Sequence, residues 1–247
     1  MKAALIGYGK MGKIIGQIAQ ARGHEIVSII DINNLDDFDS PAFLAADVAI
    51  EFTRPDTAFS NYRKCFDRNI PVVAGTTGWL ERLPEVKEIC KNEQKTFFYA
   101  SNYSIGVNVF FAVNKYLARI MNQFPSYDVR MEEIHHIHKL DSPSGTGITL
   151  ANAVIEAIDR KTHWTDCPVS ASVQPESATP DTALLIASRR EGEVPGIHEV
   201  IYESDADRIC IKHDAKNRNG FALGAVMAAE FLHGKTGFFT MDDIFNF

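Results

Sequence analysis

The chain has 247 residues, 45% of them apolar and 23% charged, enough for one large or two modest hydrophobic cores and unlike the composition of a disordered polymer. Its 25 basic and 32 acidic side chains leave a formal charge of −7, and there is no basic run. That excludes the clustered cations on which general nucleic-acid affinity depends. The apolar stretch at Lys2–Ile6 is too short for a signal peptide or a membrane span. The four cysteines, Cys65, Cys90, Cys167 and Cys210, have no CxxC spacing and are expected to be packing residues in a reducing cytosol.

Over the first hundred residues, short apolar runs alternate with helical patterns. Strands are predicted at 2–6, 25–30, 47–52, 70–74 and 96–100, with helices at 11–21, 55–67 and 81–92. This rhythm predicts an α/β unit: a Rossmann-like, doubly wound parallel sheet with helices on both faces. Residues 31–46 break the rhythm and read as a loop or at most a very short helix. After Asn102 the pattern changes. Ile105, Val109, Ala112, Val113, Tyr116, Leu117 and Ile120 recur at helical spacing and predict the inward face of a long helix. Strands follow near 128–134, 184–189, 197–203 and 207–213. A helix is expected from about Ser144, with Leu150, Ala153, Val154, Ala157 and Ile158 inward. Strands in succession suggest a second α+β unit with a mixed or antiparallel sheet. Residues 161–182 read as an irregular excursion, and a last helix is expected near 219–233.

Gly7-Tyr8-Gly9-Lys10-Met11-Gly12 matches G-x-G-x-x-G and lies between the first predicted strand and helix. Glycines there allow a tight turn and close approach of backbone to a pyrophosphate, and the helix N-terminus offers N–H groups and a favourable dipole. Asp31 follows Gly12 by 19 residues, at the end of the second predicted strand, where such folds place the acid that binds the adenosine ribose. A carboxylate accepts hydrogen bonds from a 2′-hydroxyl but repels a 2′-phosphate, and Ile32-Asn33-Asn34-Leu35-Asp36-Asp37-Phe38-Asp39 contains no Lys or Arg. The cofactor is therefore expected to be NAD, with NADH preferred and NADP possible.

The densest chemistry lies in Glu132-Glu133-Ile134-His135-His136-Ile137-His138-Lys139-Leu140-Asp141-Ser142-Pro143-Ser144-Gly145-Thr146. Histidine suits proton transfer near neutral pH, and lysine suits a carboxylate or proton donation. If 134–138 is extended, His136 and His138 share one face and His135 points the other way. Ser144-Gly145-Thr146 at a helix start would form an anion site. Other roles fit the same residues: hydrogen-bonded structural histidines, a zinc site, or Ser144 as a helix cap only.

In combination these segments resemble the dihydrodipicolinate reductase family of bacterial lysine and diaminopimelate synthesis. The likeness spans nearly the whole chain in order: the glycine loop, Glu51-Phe52-Thr53-Arg54-Pro55, Ala74-Gly75-Thr76-Thr77-Gly78, Ala100-Ser101-Asn102-Tyr103 through Asn108, His135 through Thr146, Arg190 through His198, and Asn217 through Ala222. The resemblance implies a dinucleotide-binding domain at 1–103 plus 215–247 and a substrate-binding, oligomerising α+β domain with an open mixed sheet at 104–214, in a cytoplasmic homotetramer. It implies that Gly7, Tyr8, Gly9, Lys10, Met11 and Gly12 hold the pyrophosphate and Asp31 the ribose. Phe52 and Arg54 would flank the cofactor, with Gly75, Thr76, Thr77, Ala100, Ser101, Asn102 and Tyr103 on the nicotinamide side.

His135 matches the family's acid–base residue and Lys139 its second proton donor. His136, Lys139, Ser144, Gly145 and Thr146 would bind a small dicarboxylate substrate, a cyclic imine reduced by hydride, with no metal required. The chain departs from the family in a trimmed segment between Asp31 and Asp47, and Ile32 stands where the family usually has a basic residue. Another imine or amino-acid dehydrogenase on the same plan, or a non-catalytic dinucleotide sensor, are the competing expectations. The intact His135–Lys139 segment argues against the sensor.

Overall fold

The computed structural model describes residues 1–168 and 182–245. The chain forms two compact units, Met1–Ile105 with Asn219–Phe247, and Gly106–Arg218. No helix among the described residues is long and apolar enough to cross a membrane.

The first unit holds β1 (Lys2–Ile6), α1 (Lys10–Ala21), β2 (Glu25–Ile30), α2 (Pro41–Leu44), β3 (Val48–Glu51), α3 (Pro55–Asp67), β4 (Val72–Ala74), α4 (Leu83–Asn92) and β5 (Thr96–Tyr99). To these it adds α7 (Asn219–Phe231), β11 (Gly237–Phe239) and α8 (Met241–Phe245) from the end of the chain. Its six strands are all parallel, in the order β11-β5-β4-β3-β1-β2. Nearly continuous apolar runs make this possible, because a sheet covered on both faces needs apolar side chains pointing both ways. Ala4, Ile6, Ala49, Val72 and Phe97 pack with Tyr62 and Phe66 of α3 and Val86 of α4. Ala3, Leu5, Val48, Ile50, Val73 and Phe98 pack with Ile15 of α1 and Ala222, Ala225 and Val226 of α7. Where a full helix would ordinarily follow β2, the chain makes only a 3-10 turn at Leu35–Asp39 and the four-residue α2, capped by the Ser40 side chain.

The second unit holds α5 (Ile105–Met121), β6 (Asp128–His135), α6 (Gly145–Ala157), β7 (His163–Pro168), β8 (Ala183–Arg190), β9 (Ile197–Glu203) and β10 (Arg208–Asp214). Its sheet runs β10-β9-β6-β8-β7 and is mixed: β6, β8 and β7 are mutually parallel, and β9 and β10 antiparallel to their neighbours. One face is apolar, with Val129, Met131, Leu184, Ile186, Val200 and Tyr202 packing with Phe110 of α5 and Leu150 and Val154 of α6.

Two expectations are corrected here. The excursion at 161–182 contains β7, paired along β8; residues 169–181 of it lie outside the described structure. The long helix buries the opposite face from the one expected. Val107, Phe110, Asn114, Ala118 and Met121 are inside, while Val109, Val113, Tyr116 and Ile120 are exposed. Asn114, which reads as polar, is fully buried on that face and donates its amide to the Leu150 carbonyl at 3.1 Å. Cys65 and Cys90 are buried, whereas Cys210 is exposed on β10.

Candidate active site

In a doubly wound sheet, ligands bind outside the carboxyl ends of the strands. The expected cofactor residues all follow such ends: Gly7 to Gly12 after β1, Asp31 after β2, Phe52 and Arg54 after β3, Gly75 to Thr77 after β4, and Ala100 to Tyr103 after β5. The loops are fitted to one another by backbone contact. Gly7 has φ +89°, and a Cβ there would come 2.1 Å from the Phe52 carbonyl oxygen. A Cβ on Gly12 would meet the Gly7 carbonyl at 2.2 Å, and one on Gly75 would lie 2.0 Å from the Phe52 ring. Gly9 is different: it is the N-cap of α1, no side chain caps that helix, and no atom lies within 4 Å of where its Cβ would be.

Asp31 ends β2 in a tight turn. Its backbone N–H donates to Asn34 Oδ1 at 2.7 Å, and its Oδ1 accepts from Ile32 N–H at 2.8 Å. Asn34 in turn donates to Asp37 at 2.6 Å. Arg68 approaches this loop but is bound to Asp39. Among the described residues no Lys or Arg pairs with Asp31. Tyr103 and Thr76 are buried; the Tyr103 hydroxyl donates to the Ala74 carbonyl at 2.7 Å, so it serves the loop framework. Thr77, Arg54 and Ser101 are exposed.

In the second unit the alternation of β6 puts Glu133 and His135 on the buried face. Strand register then assembles their partners: Glu133 lies opposite His198 on β9, and His135 opposite Arg190 on β8. Ser144, the N-cap of α6, completes the cluster. Its backbone N–H reaches both Glu133 oxygens at 3.0 and 3.1 Å, and its hydroxyl donates to Glu133 Oε2 at 2.6 Å. The Ser144 hydroxyl oxygen also accepts from Gly147 N–H at 3.0 Å and lies 2.9 Å from His198 Nε2. Since the Ser144 proton goes to Glu133, His198 Nε2 is the donor in that contact.

Burial pushes the Glu133 carboxyl up, but the His135 and His198 rings, each 3.6 Å away, and the bonds from Ser144 prevail and hold it well below the usual carboxylate range. Burial keeps His198 below the ordinary histidine range. His135 Nδ1 faces Glu133 Oε1 at 3.6 Å, and a Cβ on Gly196 would come 3.1 Å from His135 Nε2, so the glycine leaves that nitrogen space.

Glu133, His135 and His198 present ligand atoms within 4.8 Å of one another, a spacing that a metal ion could bridge. The Ser144 donors and the Arg190 guanidinium, 3.8 Å from Glu133, already supply positive partners to the carboxylate and make the place poor for a cation.

The strand ends at His135, so His136 and His138 lie beyond it, in and next to a turn, with ring centroids 6.1 Å apart. His138 is exposed and pairs with Glu193 at 3.1 Å. Lys139 Nζ donates to both oxygens of Asp141 at 2.8 Å, which holds the Asp141 carboxyl below its usual range. Arg190 braces this loop, donating to the Asp141 carbonyl at 2.6 Å and the Lys139 carbonyl at 3.4 Å. The Ser142 and Ser188 hydroxyls converge on Asp166 at 2.7 and 2.6 Å. The structure thus brings His135, Ser144 and the start of α6 into one cluster, and shows Ser144 as a fully engaged cap. Glu133, Arg190 and His198 had no assigned role in the sequence reading. Their signal was the period-two alternation, which puts a buried acid two residues before His135.

A parallel doubly wound sheet with a glycine loop opening its first helix, joined to a second unit carrying a braced histidine–lysine segment, defines a dinucleotide-dependent oxidoreductase. Residues 1–103 match the family description "Dihydrodipicolinate reductase, N-terminus", and residues 106–245 match "Dihydrodipicolinate reductase, C-terminus". The chain belongs to the dihydrodipicolinate reductase family. A 4-hydroxy-tetrahydrodipicolinate reductase from Christiangramia forsetii is 49% identical over 244 residues, covering 99% of this chain and 97% of its own. One from Neisseria meningitidis is 33% identical over 207 residues, covering 83% and 75%. The solved dipicolinate-bound dihydrodipicolinate reductase of a Paenisporosarcina species has a TM-score of 0.75 at 22% identity, over 99% of both chains. A scyllo-inositol dehydrogenase from Lactobacillus casei with bound NAD(H) shares the fold at a TM-score of 0.53 and 10% identity, over 94% of this chain and 88% of its own.

Proposed function

We propose that the chain is a 4-hydroxy-tetrahydrodipicolinate reductase, reducing the cyclic dihydrodipicolinate imine to tetrahydrodipicolinate with NAD(P)H, in the cytoplasm and as a homotetramer. The observation that carries the reading is the buried Glu133–Ser144–His198 network, which fixes His135 and the start of α6 beside the Lys139 loop. A bound nicotinamide would supply the hydride that reduces the electron-poor ring. His135 delivers the proton that quenches the resulting negative charge, with Lys139 as second donor, and Glu133 orients the ring from its Nδ1 side. His136, Lys139 and the N–H groups of Gly145 and Thr146 hold the two carboxylates, and Ser144 sets that helix start in place. The test is oxidation of NADH in the presence of enzymatically generated substrate; no turnover by the wild-type protein would refute the proposal.

The preferred cofactor is NADH. Asp31 is held by Asn34, which also binds Asp37, and among the described residues no Lys or Arg pairs with Asp31; an uncompensated like-charge contact with a 2′-phosphate is worth on the order of 1.4 kcal/mol, or tenfold. The ratio of kcat/KM for NADH over NADPH is expected to be about ten or more, and a preference for NADPH would overturn the argument. Lys139→Ala is expected to raise KM for the dicarboxylate about tenfold or more and also to lower kcat, because a charge-assisted contact of about 1.5–3 kcal/mol is lost. The loss is deepened because Asp141, freed of its partner, then faces the substrate's charge. Unchanged kcat and KM would remove Lys139 from the site.

A further inference from the structure

Glu51 is the last residue of β3 and is completely buried. A carboxyl group taken out of water is costly unless a cation or several donors compensate. Among the described residues no Lys, Arg or His pairs with it, and its partners are hydroxyls from three segments. Thr53, on the loop after β3, donates to Oε1. Thr76, on the loop after β4, donates to Oε1 at 3.0 Å. Tyr62 of α3 donates to Oε2 at 3.1 Å. The Thr76 hydroxyl also accepts from Thr53 N–H at 2.8 Å, and the Glu51 carbonyl accepts from Gly75 N–H at 2.8 Å. Burial pushes the Glu51 carboxyl above its usual range, and the hydroxyls of Thr53, Thr76 and Tyr62 and the Asn61 amide only partly oppose it.

An apolar residue would continue the Val48-Ala49-Ile50 run and suit the core. A buried acid instead joins the two loops that carry Phe52 and Thr77 at the mouth of the sheet. We infer that Glu51 is a positioning residue for the dinucleotide: it ties the loop after β3 to the loop after β4 and anchors both to α3, so that the nicotinamide end meets preset walls. The inference rests on the reading of these loops as the cofactor's. Glu51 does not touch the cofactor, and preset loops save the ordering cost that binding would otherwise carry.

The experiment is titration of the full-length protein with NADH alone, followed by fluorescence, together with Tm, for wild type, Glu51→Val, Glu51→Gln and Tyr62→Phe. Glu51→Val is expected to weaken NADH binding about tenfold or more. Glu51→Gln, which keeps an acceptor oxygen at the node, should bind within about threefold of wild type. Tyr62→Phe keeps the ring packed and deletes one donor; a loss of about threefold is expected. A folded Glu51→Val that binds NADH as wild type does would overturn the inference, as would a glutamine variant no better than the valine one. If Glu51→Val does not fold, unchanged affinity in Tyr62→Phe overturns it instead. Wild-type protein that fails to bind NADH would refute the cofactor reading itself, a result distinct from all of these.

Discussion

Replacing His135 with alanine is expected to lower kcat by about two to four orders of magnitude, the usual worth of a positioned proton donor. The affinity for NADH should stay within about twofold of wild type. His135 is buried at the end of β6, one nitrogen against Glu133 and the other in the space that Gly196 leaves. The hydrogen bonds of the surrounding framework do not pass through the ring. Glu133 keeps its bonds from Ser144, and His198 keeps its contact with the Ser144 hydroxyl. The fold and the start of α6 should therefore survive, so that the measured loss reports chemistry. Steady-state kinetics beside an NADH titration check this; turnover within about threefold of wild type would take His135 out of the mechanism.

The second large effect separates two glycines of one loop. Gly7→Ala must place a methyl 2.1 Å from the Phe52 carbonyl while holding φ near +89°, and the obstacle is backbone that cannot swing aside. Strain and overpacking together should cost about 2–5 kcal/mol, a fall in Tm of about 5–15 °C, with cofactor binding lost as well. Gly9→Ala meets no atom within 4 Å, and its φ of −73° suits any residue. Its Tm should be unchanged, yet NADH affinity should fall about tenfold or more, because the added methyl stands where the pyrophosphate must approach the backbone. Thermal melts and NADH titrations of the two variants decide the matter. A stable, binding-competent Gly7→Ala, or a Gly9→Ala of normal affinity, would show that the loop is not built as described.

The cofactor unit was legible because each of its signals is local: apolar runs for strands, glycines between strand and helix, and an acid after the second strand. Even the short structure at 35–44 followed from the lack of a helical pattern there. What stayed hidden depended on contacts between distant segments. Asn114 reads as the polar side of a helix until the Leu150 carbonyl supplies its partner on the buried face of α5. The strand β7 looked irregular because Asp and Pro are poor strand formers, yet pairing along β8 outweighs propensity. The strand β11 is three residues long and shows no period at all. At the site, the histidine–lysine segment announced itself, but the cluster around Glu133 needed the register of β6 against β9 and β8 before His198 and Arg190 could be placed.

The first unit is built from both ends of the chain, and this has a consequence for the order of events during synthesis. Domains fold as units once their chain is available. The second unit, Gly106–Arg218, is contiguous and can close as soon as β10 has emerged. The dinucleotide unit begins first but cannot finish first. One face of its sheet waits for the alanine-rich side of α7, and β5 remains an unpaired edge until β11 arrives. The glycine loop, made before the second unit, thus gains its complete scaffold only once the segments that follow that unit have emerged.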